Sequence, residues 1–241
     1  MTGWLAGPLL GFDTETTGVN TATDRIVTAA LVLREPGANG VTTTVDNWLI
    51  DPGVPIPEAS TNVHGITTEF ARANGEQPAA ALEQIATRLA DHLATGAPVV
   101  AFNAAYDLTL LEAELTRHGL PTLRERLSRE VSPVLDPFVL DHLLDRYRRG
   151  KRRLCDMVET YGVTVEAESL HAADVDVLAT LDVLAAIAGR YPAIARMSLT
   201  DLHATQVAAH RDWAQRLNEW RASKGLTGPD ASTEWPVDRR Y

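Results

Sequence analysis

The sequence predicts an α/β fold in which a meander of strands precedes alternating strands and helices. Residues 8–12, 24–33 and 41–50 are apolar or rich in β-branched side chains and have the length of strands. Two later short runs, 98–102 and 134–136, are each followed by apolar residues at helical spacing. A meander followed by strand–helix–strand units is typical of an α/β domain.

Length and composition fit one sizeable globular domain with an appendage. The chain has 241 residues, of which 45% are hydrophobic and 22% are charged, ordinary values for a soluble protein. The single cysteine, Cys155, excludes an intramolecular disulfide, fits a reducing cytosol and is expected to be a small core residue. Neither a signal peptide nor an apolar run of about 20 residues is visible, so we expect a cytoplasmic protein without a membrane span.

The charge balance is acidic but uneven along the chain. The net charge is −10, from 22 Lys and Arg against 32 Asp and Glu. This argues against broad nonspecific binding to duplex DNA, because such binding neutralises many phosphates, but it is compatible with an enzyme that grips one strand end through metal ions. Six of the eight residues at 146–153 are basic, and this run either steers a phosphate backbone or is a solvated loop.

Two acids stand at the end of the first predicted strand. Asp13 and Glu15 are one residue apart after the apolar run 8–12, so the two-residue period of a strand sends both side chains to the same side. Neighbouring buried carboxylates are costly, and a divalent cation with oxygen ligands is the common remedy. Taken alone, the pair could also be two solvated acids at a strand end.

Residues typical of a tight turn join the second and third predicted strands, and a proline-rich segment follows the third strand. Residues 36–40 contain the proline and glycines of a tight turn between the second and third strands. The break after the third strand leads to His64, which either contacts a ligand or is simply a turn residue. Thr67 is expected to cap a short helix. Apolar residues at helical spacing from Pro78 to Leu93 predict a further, structural helix that ends at Gly96.

Short strands and helices alternate in the second half of the predicted domain. Asp107 falls in the first turn of a helix that follows strand 98–102, where the helix dipole favours an acid whatever its function. Further helices are predicted to start at Pro137 and to cover 154–161. The sequence therefore places Asp107 above the end of a strand, as it places Asp13.

A late helix carries another acid and is preceded by a histidine. Leu178, Leu181 and Leu184 mark the inward face of this helix, and Asp176 projects from a stripe of small residues that allow close packing on a sheet. His171 lies five residues before Asp176, so it does not share that stripe. We expect His171 to lie in the loop before this helix or in its first turn, where its side chain could extend over the predicted site.

The composition changes after residue 191. The helical spacing of His210, Trp213, Leu217 and Trp220 predicts an amphipathic helix that needs a partner surface, either the rest of the chain or a second protein. Residues 224–241 lack periodicity and are predicted to be a flexible tail. The expected organisation is a domain at 1–191, a helical extension at 192–223 and this tail.

Taken together, four motifs resemble one known family, the DEDDh or DnaQ-like exonucleases. This family contains the proofreading epsilon subunit of bacterial DNA polymerase III, ribonuclease T and oligoribonuclease. The similarity covers about residues 9–188 and lies in four segments, namely Phe12 to Gly18, Val63 to Thr67, Asn103 to Asp107, and His171 with Asp176. A sister group has a Tyr four residues before the last Asp; Ala172 occupies that position here, so the histidine branch is the better match.

The resemblance implies a ribonuclease H-like fold, a mixed five-stranded sheet with helices on both faces. It assigns four acids to the binding of two divalent cations, Mg²⁺ or Mn²⁺, and matches His171 to the general base that takes a proton from the attacking water. The acids are Asp13, Glu15, Asp107 and Asp176, and the implied substrate contacts are Thr14, Thr16, Val63, His64, Phe102 and Asn103. Phe102 departs from the family, which often has His there, so its contacts in the pocket are less well defined by the resemblance.

The implied activity is hydrolysis of phosphodiester bonds at the 3′ end of single-stranded DNA or RNA, with release of nucleoside 5′-monophosphates. Proofreading, repair and RNA trimming are all versions of it. One alternative is a non-catalytic nucleic-acid-binding or scaffold module that kept the fold, although all five catalytic positions are filled. Another is an endonuclease or integrase of the wider ribonuclease H-like class, against which the spacing of His171 and Asp176 argues. By analogy with the polymerase subunit, helix 199–220 either tethers the chain to a DNA polymerase subunit or packs on its own domain.

Overall fold

A five-stranded sheet forms the centre of the computed structural model, which describes residues 3–38, 40–164 and 173–240. Its strands are β1 (Leu9–Thr16), β2 (Ile26–Gly37), β3 (Gly40–Leu49), β4 (Val99–Val100) and β5 (Val134–Leu135), and they lie in the order β3-β2-β1-β4-β5. β2 is antiparallel to its neighbours β1 and β3, whereas β4 is parallel to β1 and β5 is parallel to β4. The predicted mixed five-stranded sheet flanked by helices is confirmed.

Helices cover both faces of the sheet. They are α1 (Glu58–His64), α2 (Thr68–Asn74), α3 (Pro78–Ala94), α4 (Ala104–Arg117), α5 (Leu123–Leu127), α6 (Pro137–Leu144), α7 (Leu154–Tyr161), α8 (Ala173–Arg190), α9 (Pro192–Ala195) and α10 (Leu199–Ser223). A short 3-10 turn, Gly3–Ala6, precedes β1. Thr67 caps α2 as predicted, since its side chain accepts the N–H of Phe70. Within the described ranges, every helix is too short or too polar to cross a membrane.

Two hydrophobic cores lie on opposite faces of the sheet. Alternate residues of the central strands point to opposite sides: Phe12 and Leu31 belong to the core that includes α3, whereas Ala30 and Val32 belong to the core that includes α8. Both cores consist mainly of buried aliphatic side chains. The sheet is therefore rigidly held where β1 and β4 end, which is where the predicted site residues lie.

Helix α8 packs directly on β1 because a glycine leaves room for it. A side chain added at Gly11 would meet Val177 at 2.2 Å and Leu181 at 3.3 Å. The close approach brings the first turn of α8, with Asp176, to the end of β1. This is the packing that the small residues around Asp176 predict.

The structure differs from the sequence prediction at two local points. Pro36 and Gly37 pair with Val41 and Gly40, so the β-ladder continues through most of the segment predicted to be a turn. Pro36 can occupy this position because a residue near the end of a ladder need not donate a hydrogen bond to it. Cys155 is exposed on α7 rather than buried in the core, because the buried face of that helix is centred on Met157.

The C-terminal residues pack on the domain. The ring of Trp213 in α10 lies 5.9 Å from that of Phe138 in α6. Beyond α10, Trp235 is only 6% exposed and joins the core on the α3 side, and the N–H of Asp238 donates to the Thr109 hydroxyl at 2.8 Å. The predicted flexible tail is therefore packed, because the aromatic side chain of Trp235 finds a buried site. The domain boundaries at residues 191 and 223 stay a prediction.

Candidate active site

Three carboxylates meet where β1 ends and α8 begins. Asp13 and Glu15 project from the face of β1 that α8 covers, and Asp176 projects from the first turn of α8. Each residue has a carboxylate oxygen within 4.8 Å of such an oxygen from the other two. An all-oxygen, anionic set of this size fits a hard divalent cation such as Mg²⁺ or Mn²⁺.

Burial and mutual repulsion make this cluster costly without a cation. Burial raises the pKa of Asp13 well above its ordinary value, and the charges of Asp107, Asp176 and Glu15 raise it further. Burial likewise raises the pKa of Glu15 to about 7, with smaller contributions from Asp176 and Asp107. A bound divalent cation would offset both effects. The donor set therefore fits a metal chemically as well as geometrically.

Asp107 lies beside these three acids but is held by Thr14. It is 4% exposed, and its Oδ1 accepts the Thr14 N–H at 3.1 Å and the Thr14 hydroxyl at 2.7 Å. Burial raises the pKa of Asp107, and the hydrogen bonds from Thr14 partly oppose that rise. Three of the four predicted acids thus form one cluster that could hold a metal ion, with the fourth adjacent. Thr14, predicted to contact substrate, is buried and orients Asp107.

A further buried acid, Asp136, fixes the turn that precedes Asp107. Asn103, at the start of α4, has a left-handed backbone with φ 58° and ψ 46°, a conformation that few non-glycine residues adopt. The Asp136 carboxylate accepts the N–H groups of Asn103 at 3.0 Å and Ala104 at 2.9 Å. Burial raises the pKa of Asp136 to about 6, and these bonds oppose the rise.

Sequence reasoning did not give Asp136 a role, although a local signal was present. An Asp directly before the Pro that begins a helix is a typical N-cap, and Asp136 does accept the N–H of Phe138 at 2.9 Å. Its bonds to the start of α4 join residues more than thirty positions apart. No spacing rule predicts contacts of that kind.

A cleft of about 310 Å³ opens next to Glu15 and is lined in part by Asn47, His64 and Phe70. The Nδ1 of His64 accepts the N–H of Ile66 at 3.1 Å, which places the proton of the neutral ring on Nε2. Burial lowers the pKa of His64, so the ring is neutral at pH 7. Its Nε2 is buried and has no hydrogen-bond partner among the described residues.

One further predicted substrate contact, Thr16, lies at the end of β1. The hydroxyls of Thr16 and Tyr106 lie 2.8 Å apart, and the Thr16 hydroxyl donates to the Gly18 carbonyl at 2.7 Å. Tyr106 also donates to Gly18, so it holds the loop after β1 against the start of α4. No pattern in the sequence distinguishes Tyr106 from its neighbours.

The remaining predicted residues differ in how closely the structure associates them with the acids. Val63 is 52% exposed at the end of α1, one residue before His64. Phe102 is half-buried, with its ring 5.9 Å from that of Phe138, and Asn103 is exposed at the start of α4. His171 lies outside the described residues, so its position stays a prediction.

Three of the six basic residues in the run 146–153 form ion pairs. Arg148 and Arg152 both bind the fully buried carboxylate of Asp141. Arg153 pairs with Asp156 at the start of α7. The run is therefore in part an ion-pair network that fixes the loop between α6 and α7, which neither of the two sequence interpretations anticipated.

Comparison with known proteins places the chain among exonucleases. The family model described as "RNase_T: Exonuclease" matches residues 10–184. A DNA polymerase III subunit epsilon-like protein of Rhodobacter capsulatus is 33% identical over 210 residues, which make up 86% of this chain and 27% of the relative. A DNA polymerase III PolC-type protein of Lacticaseibacillus paracasei is 28% identical over 171 residues, 70% of this chain and 10% of the relative. The chain thus spans about a quarter or less of these relatives.

Solved structures of exonuclease I share the fold. The Escherichia coli enzyme in complex with a dA16 oligonucleotide aligns with a TM-score of 0.63 and 20% identity over 85% of this chain and 44% of that chain. Exonuclease I of Methylocaldum szegediense aligns with a TM-score of 0.62 and 20% identity over 89% of this chain and 46% of that chain. Because the family match runs from β1 to α8, through all the elements that carry the described acids, the chain belongs to the DnaQ-like exonuclease family.

Proposed function

We propose that this protein is a metal-dependent 3′→5′ exonuclease of the DEDDh type. It hydrolyses phosphodiester bonds at the 3′ end of single-stranded DNA or RNA and releases nucleoside 5′-monophosphates. The observation that carries the proposal is the cluster of Asp13, Glu15 and Asp176, whose carboxylate oxygens lie within 4.8 Å of one another. A scaffold without catalysis would gain nothing from three partly buried acids that repel one another and cost stability.

The four predicted acids would together bind two metal ions. Asp13, Glu15 and Asp176 would hold one Mg²⁺ or Mn²⁺, and Asp107, oriented by Thr14, is adjacent for a second. When bound, two such ions stabilise the charge on the attacking and leaving oxygens of the phosphodiester. His171, five residues before Asp176, supplies the base that removes a proton from the attacking water, as the near-neutral pKa of imidazole allows.

The cleft beside Glu15 suits the end of a nucleic acid strand. The neutral ring of His64 lines this cleft and carries a buried Nε2 donor without a hydrogen-bond partner among the described residues. A small movement of the ring on substrate binding would present this donor to a sugar or phosphate oxygen. Val63 and Phe70 are half-exposed apolar side chains close to it in sequence, suited to a base. The structural neighbour solved with a dA16 oligonucleotide makes single-stranded DNA the first substrate to test.

Association with a DNA polymerase subunit through residues 192–241 is also a proposal. The epsilon-like relative from Rhodobacter capsulatus supports it. The inner face of α10 already packs on β5 and α6, with Gln206 and Ala214 buried. A polymerase subunit would therefore have to contact the outer face of α10, where Trp220 is 53% exposed.

The proposal is tested with 3′-labelled and 5′-labelled single-stranded DNA and RNA in the presence of Mg²⁺ or Mn²⁺. The expected result is a ladder that shortens from the 3′ end and is absent with EDTA and with the Asp13→Ala variant. The same gels show which sugar is preferred. Folded protein that binds metal but cleaves neither polymer would support the scaffold alternative instead.

A further inference from the structure

Helix α10 covers the outer edge of β5 with two polar side chains. Gln206 is fully buried; its Oε1 accepts the N–H of Asp136 at 2.8 Å and its Nε2 donates to the Val134 carbonyl at 3.1 Å. One turn earlier, Nδ1 of His203 accepts the N–H of Val134 at 3.1 Å. An edge strand normally leaves such groups unpaired. Here the side chains of α10 satisfy them in place of another strand.

The contact continues from β5 to the start of α4. Gln206 holds the main chain of Asp136, and the Asp136 carboxylate holds the N–H groups of Asn103 and Ala104. Asp107 lies in the first turn of the helix that these residues begin. A chain of hydrogen bonds therefore runs from the C-terminal helix to the turn that carries a predicted metal ligand.

The turn at Asn103 depends on this support. A left-handed backbone is disfavoured at a residue with a Cβ, and the first N–H groups of a helix need partners from outside it. Asp136 supplies both partners with one buried carboxylate, which is 1% exposed. Without it, the turn is expected to relax and to move Asp107 relative to Asp13 and Glu15.

We infer that Gln206 is a positioning residue for the metal site, acting through Asp136 on the turn at Asn103 and so on Asp107. The inference rests on the proposed function for the role of Asp107 as a metal ligand. It makes α10 part of the active-site framework rather than an appendage. A purely structural role for Gln206, limited to covering the edge of β5, would lower stability but leave the metal site unchanged.

Metal binding without nucleic acid separates these two roles. The test variant is Gln206→Met, which keeps the length of the side chain and removes both hydrogen bonds to β5. The matched control is His210→Ala, one turn further along α10, where a buried histidine contacts the Ser232 carbonyl at 3.1 Å and does not reach β5. Mn²⁺ binding is measured by electron paramagnetic resonance of the free ion, at a temperature where melting curves show all variants folded.

We expect Gln206→Met to bind Mn²⁺ about 10- to 100-fold more weakly, the usual effect of losing a group that orients a ligand, and His210→Ala to keep the wild-type affinity. Asp136→Asn, which fills the same space, is expected to match Gln206→Met and replaces it if that variant does not fold. If Gln206→Met and Asp136→Asn fold and keep the wild-type Mn²⁺ affinity, the inference is overturned. It is also overturned if the wild-type protein binds no Mn²⁺. A wild type that binds Mn²⁺ but cleaves no nucleic acid would overturn the proposed function and leave this comparison valid.

Discussion

Asp13 is held in the folded protein at a cost in stability, because burial and neighbouring carboxylates raise its pKa. An acid with a raised pKa binds its proton more tightly in the native than in the unfolded state, so stability is lost as pH rises through the folded pKa. For Glu15 this window runs from 4.5 to about 7. The melting temperature of the metal-free protein should therefore decrease as the pH is raised from 5 to 7.5.

Asp13→Asn removes one of the repelling charges, so it should stabilise the metal-free protein at pH 7.5 by about 1–3 kcal/mol while abolishing hydrolysis. Melting curves in EDTA across this pH range measure the effect. Asp174→Asn, on the same turn of α8 but outside the three-acid cluster, is the control and should keep the wild-type pH dependence. A variant at Asp13 that melts at or below the wild-type temperature at pH 7.5 would contradict the electrostatic account.

Thr14 lowers the pKa of Asp107 by donating its hydroxyl to Oδ1 at 2.7 Å. Thr14→Val keeps the shape of the side chain and removes this donor, so the pKa of Asp107 should rise. The acidic limb of the pH profile of kcat/KM should then move to higher pH. Thr14→Ser retains a hydroxyl and should restore the wild-type profile. If Thr14→Val and Thr14→Ser have the same pH profile of kcat/KM, the hydroxyl of residue 14 does not set the pKa of Asp107.

The candidate site shows which residues a sequence can reveal. Asp13 and Glu15 were predictable because the period of a strand fixes their side, and Asp176 because small neighbours mark a closely packed helix. The roles of Tyr106 and Gln206 depend on partners far away in the chain, Thr16 and Asp136 among them. Such contacts are set by tertiary packing, which local periodicity does not encode.

At the scale of elements, the strands and helices were predictable in type and order but not in their ends. β4 has only two residues, yet its apolar run and the helix after it identify it. β2 and β3 extend further toward their turn than the Pro36 and Gly37 signals suggest, because ladder pairing with the neighbouring strand outweighs local turn preference. The sequence of the basic run 146–153 does not indicate that Arg148 and Arg152 would pair with the buried Asp141 of α6.

The loop between α6 and α7 provides a test of that ion-pair network. Asp141 is fully buried, and its carboxylate receives Arg148 at 3.0 Å, Arg152, and the Tyr161 hydroxyl at 2.7 Å. Arg152→Ala leaves part of this buried charge unpaired, so it should destabilise the protein by about 1–3 kcal/mol in urea unfolding. Arg149→Ala, an exposed residue of the same run, should change stability by less than about 0.5 kcal/mol. If both variants change the free energy of unfolding equally, the ion pairs to Asp141 do not contribute to stability.

At the scale of the whole molecule, α10 and the segment around Trp235 pack against the sheet and its helices. Gln206 and His203 cover β5, and the Asn218 side chain exchanges two hydrogen bonds with the backbone of Ala231. The sequence predicted the amphipathic helix but not its partner, because a helix face alone does not say which surface it meets. The sheet edge at β5 was not visible either, since a two-residue strand carries little pattern.

Trp235 is the strongest link between the C-terminal end and the domain. Its side chain is 6% exposed in the core on the α3 side, its ring lies 5.1 Å from that of His203, and the indole is close enough to Asp136 to lower the pKa of that acid. Removing residues 224–241 should therefore destabilise the protein. Trp235→Ala alone should account for most of the loss, about 3–5 kcal/mol, because burial of a tryptophan dominates the contacts of this segment.

Urea unfolding of the full chain, the truncated chain and the Trp235→Ala variant measures these differences. Arg240→Ala is the control, since its guanidinium pairs with Asp238 at the surface and an exposed pair contributes about 0–1 kcal/mol. A flexible tail would give a truncated chain as stable as the full one. A large loss on truncation with little effect of Trp235→Ala would instead assign the stabilisation to the backbone bonds of Ala231 and Asp238.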